Sequence, residues 1–272
     1  MARQLRCLRL LKIFLAVPRN HKVKPMKMKN DTTYIPTESI VSNDLKDSLI
    51  KSASFLPDPL SQLDSVLLKY KPMLDPSIPF RDITNADTKR KSLAQLIEKL
   101  DVKTNIRYQR TIEDTYCNVY SYDYCYFSQV YLPTVWWTDD AMQKILDGQE
   151  VEAVFGETVD NIYSSAIHDW FLRWGPSFGW KRIFSLDEMQ NKVNSNGGIG
   201  IICAKRKIKG LSGHIVPVVP ETEKHKAYRE KGEVVYPLQS QAGKLNYKYF
   251  AKARKDWWNH ERYSSHVFYY HD

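Results

Sequence analysis

Residues 196–220 read NGGIGIICAKRKIKGLSGHIVPVVP, and this stretch decides the fold class. Asn196-Gly197-Gly198 is a turn signal, and Ile199 to Ala204 is an unbroken apolar run of the kind shown by a strand buried on both faces. Lys209-Gly210 to Gly213 marks a second turn, and His214 to Pro220 reads as a second strand. Outward toward the C-terminus, Val234 to Gln241 is expected as a third strand and Val267 to Tyr270 as a fourth.

Upstream the period changes from strand to helix. Leu60, Leu63, Val66 and Leu67 line one face of a short helix ending near Tyr70. Asp87 is placed to cap a helix running to about Leu100, with Leu93, Leu96, Ile97 and Leu100 on one face. Thr115 to Val130 is expected as the next helix, with Thr115 or Asp114 as its N-cap. Thr138 to Leu146, Thr158 to Trp174 and Leu186 to Val193 complete the helical part. Helices first and an antiparallel sheet second make an α+β arrangement. Lys248 to Tyr263, KYFAKARKDWWNHERY, reads as an amphipathic helix with a solvated basic face.

The chain has 272 residues and a net charge of +9. Residues 1–58 form a basic, polar arm, and residues 59–272 a single domain. The arm is rich in Lys/Arg, and its first acid is Asp31. The charge excess therefore belongs largely to the arm, and no nucleic-acid partner is expected. Residues 1–17 are basic and then apolar in the manner of a signal segment, but Arg9 and Lys12 interrupt the run. That run is too short for the ~20 residues of a membrane span, so no transmembrane segment is expected.

Four cysteines, Cys7, Cys117, Cys125 and Cys203, form neither a zinc pattern nor a disulfide framework. Gly-rich phosphate loops and HExxH are also missing from the sequence, so no metal or nucleotide cofactor is expected. Cys117 stands out because it falls in the first turn of its helix. Unsatisfied N–H groups and the helix dipole favour a thiolate there. Cys125, two turns deeper, and Cys203, in a buried strand, read as core. His214 opens its strand after Ser212-Gly213, where an imidazole can approach a thiol as general base. A third group to orient the imidazole is sought in Gln239, Gln241 or Glu221, with Gln239 favoured because a neighbouring strand carries it.

The runs TYCNVYSYDY (115–124), GIGIICA (198–204) and SGHIVPVVPE (212–221) resemble the NlpC/P60 and CHAP superfamily of papain-like cysteine amidases. The resemblance implies a core in which a Cys opens a helix packed on an antiparallel sheet, with a His on the next strand and a polar residue after it. It carries the nucleophile to Cys117, the base to His214 and the third position to Gln239 or Glu221. It implies a thioester mechanism on an amide, with peptidoglycan peptides the usual substrate and the cell envelope the place of action. Tyr116 before the Cys and Asn118 after it depart from the commoner Asp and Gln. The long segment from Trp136 to Val193 is an insertion, read as a helical cap packing its aromatics on the sheet. Tyr108 or Tyr116 is a candidate second oxyanion donor beside the Cys117 N–H. The competing expectation is a binding protein with a basic, aromatic surface, or a papain-like protease or deamidase acting on proteins.

Overall fold

The computed structural model describes residues 69–73, 75–252 and 256–272. The arm, the signal-like segment and the expected helix at Leu60 lie outside the described residues, except for the last residues of that helix.

The apolar run at the heart of the sequence forms β4 (Ile199–Arg206). It is buried on both sides, as its composition requires. Ile199, Ile201 and Cys203 face the larger core, and Ile202 and Ala204 face a smaller one. β5 (His214–Val218) pairs antiparallel with β4 in the register Ala204↔His214 to Gly200↔Val218. β10 (Tyr263–His271) flanks β4 on the other side, and β3 (Lys181–Ile183) flanks β10. Beyond β5 come β8 (Gln239–Gln241) and β9 (Tyr247–Phe250), which complete a six-stranded antiparallel sheet of order β3-β10-β4-β5-β8-β9. Pro217 has no N–H to give, and the pairing of β5 with β8 narrows to the single pair Val218↔Gln239.

Five α-helices stand among the described residues. The first two are α1 (Ala86–Leu100) and α2 (Cys117–Phe127). The others are α3 (Asp139–Leu146), α4 (Ser164–Arg173) and α5 (Leu186–Asn196). With the antiparallel sheet they make an α+β fold. α2 and α4 lie against the larger core face, and α5 against the smaller. The expected apolar face of α1, Leu93, Leu96, Ile97 and Leu100, is fully buried. Each such side chain contributes about 1.5–3 kcal/mol by leaving water.

Polar anchors fix α2 on the sheet. Asp123, fully buried, accepts two bonds from Arg107 (2.6 and 3.0 Å) and one from the Tyr108 hydroxyl (2.9 Å). Tyr120 and Ser240 share a 2.5 Å hydroxyl contact that ties the helix to β8.

Several expected elements are corrected. The residue that caps α1 is Asn85, whose side chain accepts from the Asp87 and Thr88 amides; Asp87 itself lies in the first turn. The expected helix from Thr158 begins instead as β2 (Val159–Asn161), which pairs with β1 (Val135–Trp137), and only then becomes α4. The expected strand 234–241 breaks at Pro237: β7 (Glu233–Tyr236) pairs with β6 (Tyr228–Glu230) in a separate ribbon, and β8 joins the main sheet. Among its described residues the stretch 248–263 holds the end of β9, one short 3-10 turn at Trp257–Asn259 and the start of β10 in place of the expected amphipathic helix. Trp136, Trp137, Trp170, Phe171 and Trp180 of the 136–193 segment pack inward and are buried, while Tyr163 and Phe184 are exposed.

Candidate active site

Cys117 is the first residue of α2. The residue before it, Tyr116, makes no side-chain cap, and the first hydrogen bond of the helix runs from the Tyr120 amide to the Tyr116 carbonyl. The expected caps Thr115 and Asp114 do not serve. The amides of Cys117, Asn118 and Val119 thus have no partner within the helix and concentrate positive potential at the sulfur.

A second helix start meets the first. Ser164, the first residue of α4 and fully buried, places Oγ 3.3 Å from Cys117 Sγ. Its preceding residue, Tyr163, likewise makes no side-chain cap. The 136–193 segment therefore supplies an atom beside the thiol. Nothing in the sequence around Tyr163-Ser164-Ser165 marks it, because its role depends on where α4 lands.

His214 opens β5. Gly213, before it, fits only as glycine, since a Cβ there would lie 2.0 Å from the Ala204 carbonyl oxygen. The His214 imidazole stands close enough to the Cys117 thiol to lower it by charge and hydrogen bonding. Its Nε2 lies 2.9 Å from Gln241 Oε1, and the Gln241 Nε2 donates to the Leu245 carbonyl at 2.9 Å. That second bond fixes which end of the amide faces His214. An amide oxygen only accepts, so His214 Nε2 carries the proton and Nδ1 is the nitrogen left to serve the thiol.

The side chain that bonds His214 is thus Gln241, not the favoured Gln239 or Glu221. Gln239 Oε1 accepts from Trp257 Nε1 at 2.8 Å. The Trp257 ring in turn packs edge-on to His214, with centroids 4.6 Å apart, so Gln239 stands one residue removed from the base. Glu221 is engaged elsewhere, bound by Arg229 at 2.6 and 2.9 Å and by Asn194 at 2.6 Å. The two-residue period put Gln239 and Gln241 on one face. The missing information was the register Val218↔Gln239, which carries Gln241 back toward the start of β5.

Burial alone would push the Cys117 thiol up. The charge of His214, its hydrogen bond, the Ser164 hydroxyl and the Ile215 amide outweigh that effect and bring the thiol down to about 7. Cys125 and Cys203, equally buried, are pushed well above the ordinary thiol range by desolvation.

A cleft of about 360 Å³ opens beside these residues. Its walls include Tyr116 and Asn118, which flank Cys117, Tyr163 next to Ser164, and Ser212 near His214. Of the two tyrosines considered as oxyanion donors, Tyr116 lines this cleft, and Tyr108 is committed to Asp123. Ser265, His168 and Asp169 form a second hydrogen-bonded chain, each link 3.0 Å. Lys205 already neutralises Asp169 at 2.5 Å, and none of the three lines the cleft. Among the described residues no three His, Cys, Asp or Glu side chains are grouped as metal ligands. Comparisons with protein-family models, curated proteins and solved structures find no match to this chain.

Proposed function

We propose that the chain is a papain-like cysteine amidase, of the kind its resemblance to NlpC/P60 and CHAP enzymes implies, and that it hydrolyses an amide bond in peptidoglycan. The observation that carries this reading is the ordered set Cys117–His214–Gln241: a thiol at an uncapped helix start, an imidazole beside it whose charge lowers it, and an amide holding that imidazole in one tautomer. A buried structural cysteine needs none of these three.

In this mechanism Cys117 gives its proton to His214 Nδ1, and the thiolate attacks the amide carbonyl carbon. The oxyanion forms beside the free amides at the start of α2, where preorganised N–H groups act without having to reorient. His214 then donates the proton to the departing amine as the C–N bond breaks, leaving an acyl thioester on Cys117. Water, deprotonated by His214, attacks the thioester, and the carboxylic acid leaves as the thiol is restored. Gln241 accepts a hydrogen bond from Nε2–H throughout and keeps the imidazole aimed at the sulfur.

Purified peptidoglycan incubated with the protein tests the substrate. The expected result is release of fragments carrying new amino and carboxyl ends in equal amounts, and no release by Cys117→Ala. If wild-type protein with an ionised Cys117 leaves the amide bonds intact, peptidoglycan is the wrong substrate.

A further inference from the structure

The surface carries a second feature. Four adjoining cavities, of about 460, 390, 280 and 300 Å³, run along α1, the 221–227 loop and β9. The first two share Ala94 and Thr222, and the last three share His225 and Tyr249, so they form one continuous groove. It has no lining residue in common with the cleft at the nucleophile.

Its charges are one-sided. The acids that line it are already engaged within the fold: Asp87 pairs with Arg90, Glu98 with Lys248, and Glu221 with Arg229. Lys91, Lys99, Lys103, Lys224 and Lys226 also line it, all exposed, and among the described residues none forms a salt bridge. Glu223 lies in the same loop but not in the groove wall. The cleft at Cys117 is the reverse, lined by Glu113 and Asp114 and by no Lys, Arg or His. A polyanion is thus attracted to the groove and repelled from the cleft.

The aromatic faces narrow the class of polyanion. Nucleic-acid grooves offer open rings on which bases stack. Here Tyr249 is covered by His225, whose ring lies parallel at 4.2 Å. Tyr228 is stacked on Tyr236 and capped by Lys252 Nζ at 4.2 Å from its centroid. We infer that this groove is a binding site for a linear phosphate polymer without bases, and that it anchors the protein independently of the Cys117 site. The inference does not rest on the amidase reading, since it uses none of the same residues.

The test uses the full chain and long-chain inorganic polyphosphate as probe, with binding measured across a salt series. The Lys91→Gln/Lys224→Gln/Lys226→Gln variant is compared with Lys144→Gln/Lys207→Gln/Lys231→Gln, which removes the same charge elsewhere. The groove variant is expected to bind about tenfold or more weakly, with a shallower dependence of log K on log salt, and the control to stay near wild type. Cys117→Ala is expected to bind as wild type does. Equal weakening by the two triple variants, or no weakening by either, overturns the groove as the site. Tighter binding of single-stranded DNA than of polyphosphate of equal charge overturns the assignment of a base-free polymer.

Discussion

Cys117 and Cys125 lie on one helix, eight residues apart, and both are buried from water. One thiol is brought down to about 7, and the other is pushed far up. Cys203, also buried, donates to the Ser164 carbonyl at 3.3 Å and is pushed up as well. Depth alone therefore does not make a thiol acidic, and on its own it does the opposite. The difference lies in what surrounds each sulfur. Cys117 sits at the positive end of α2, beside the start of α4 and against His214. Cys125 sits two turns inside, where the helix amides already bond to carbonyls.

The widest gap between these cysteines should be in catalysis. Cys117→Ala is expected to abolish hydrolysis, a loss of at least about 10³-fold, because no other group forms the thioester. Cys125→Ala and Cys203→Ala should keep most of the rate, with any loss traceable to the small cavity each leaves. A Cys125 variant as inactive as Cys117→Ala, in protein of native thermal stability, would erase the distinction.

His214→Ala removes both the charge and the hydrogen bond that hold the Cys117 thiol down. Even a return from about 7 only to the free-thiol value of ~8.5 lowers the thiolate fraction at pH 6 by about 30-fold, and burial, which still acts, deepens the loss. The sign follows from the shift: a depressed thiol is ionised above its folded value and loses the thiolate as pH falls through about 7. Wild-type activity should therefore rise through that pH, and stopped-flow alkylation of the variant should show the rise displaced upward.

Gln241→Ala and Gln239→Ala sharpen the same contrast at the base. Gln241→Ala should cost roughly tenfold to a hundredfold in kcat, the range for groups that orient metal-bound imidazoles from behind. Gln239→Ala loosens Trp257 without freeing the His214 proton, and its kcat should fall less. The smallest effect is expected from Ser164→Ala. Loss of one neutral hydrogen bond, about 0.5–1.5 kcal/mol, raises the Cys117 thiol by less than His214→Ala does and slows alkylation at pH 6 by up to about tenfold.

How much of this was legible in the sequence follows the same division between local and long-range information. The β4 run declared itself because both of its faces are buried, so composition alone marks it. Cys117 at a helix start and His214 at a strand start were legible because each position depends only on its own element. Gln241 and Ser164 were not. Choosing Gln241 over Gln239 needs the register of β8 on β5, and Ser164 needs the landing point of a helix forty-seven residues away in the chain. The 248–263 stretch was not legible because mixed cations and aromatics satisfy a helical pattern, whereas its first residues are held as the edge strand β9 by pairing with β8.

The most direct test of the central claim is the iodoacetamide reaction rate of each cysteine in the native protein as a function of pH, resolved by peptide mass. The structure predicts that Cys117 reacts with an apparent pKa of about 7, and that Cys125 and Cys203 stay unreactive until the protein unfolds. If Cys117 is as inert as the other two, or titrates as an ordinary free thiol, then no activated nucleophile exists and the amidase reading is contradicted.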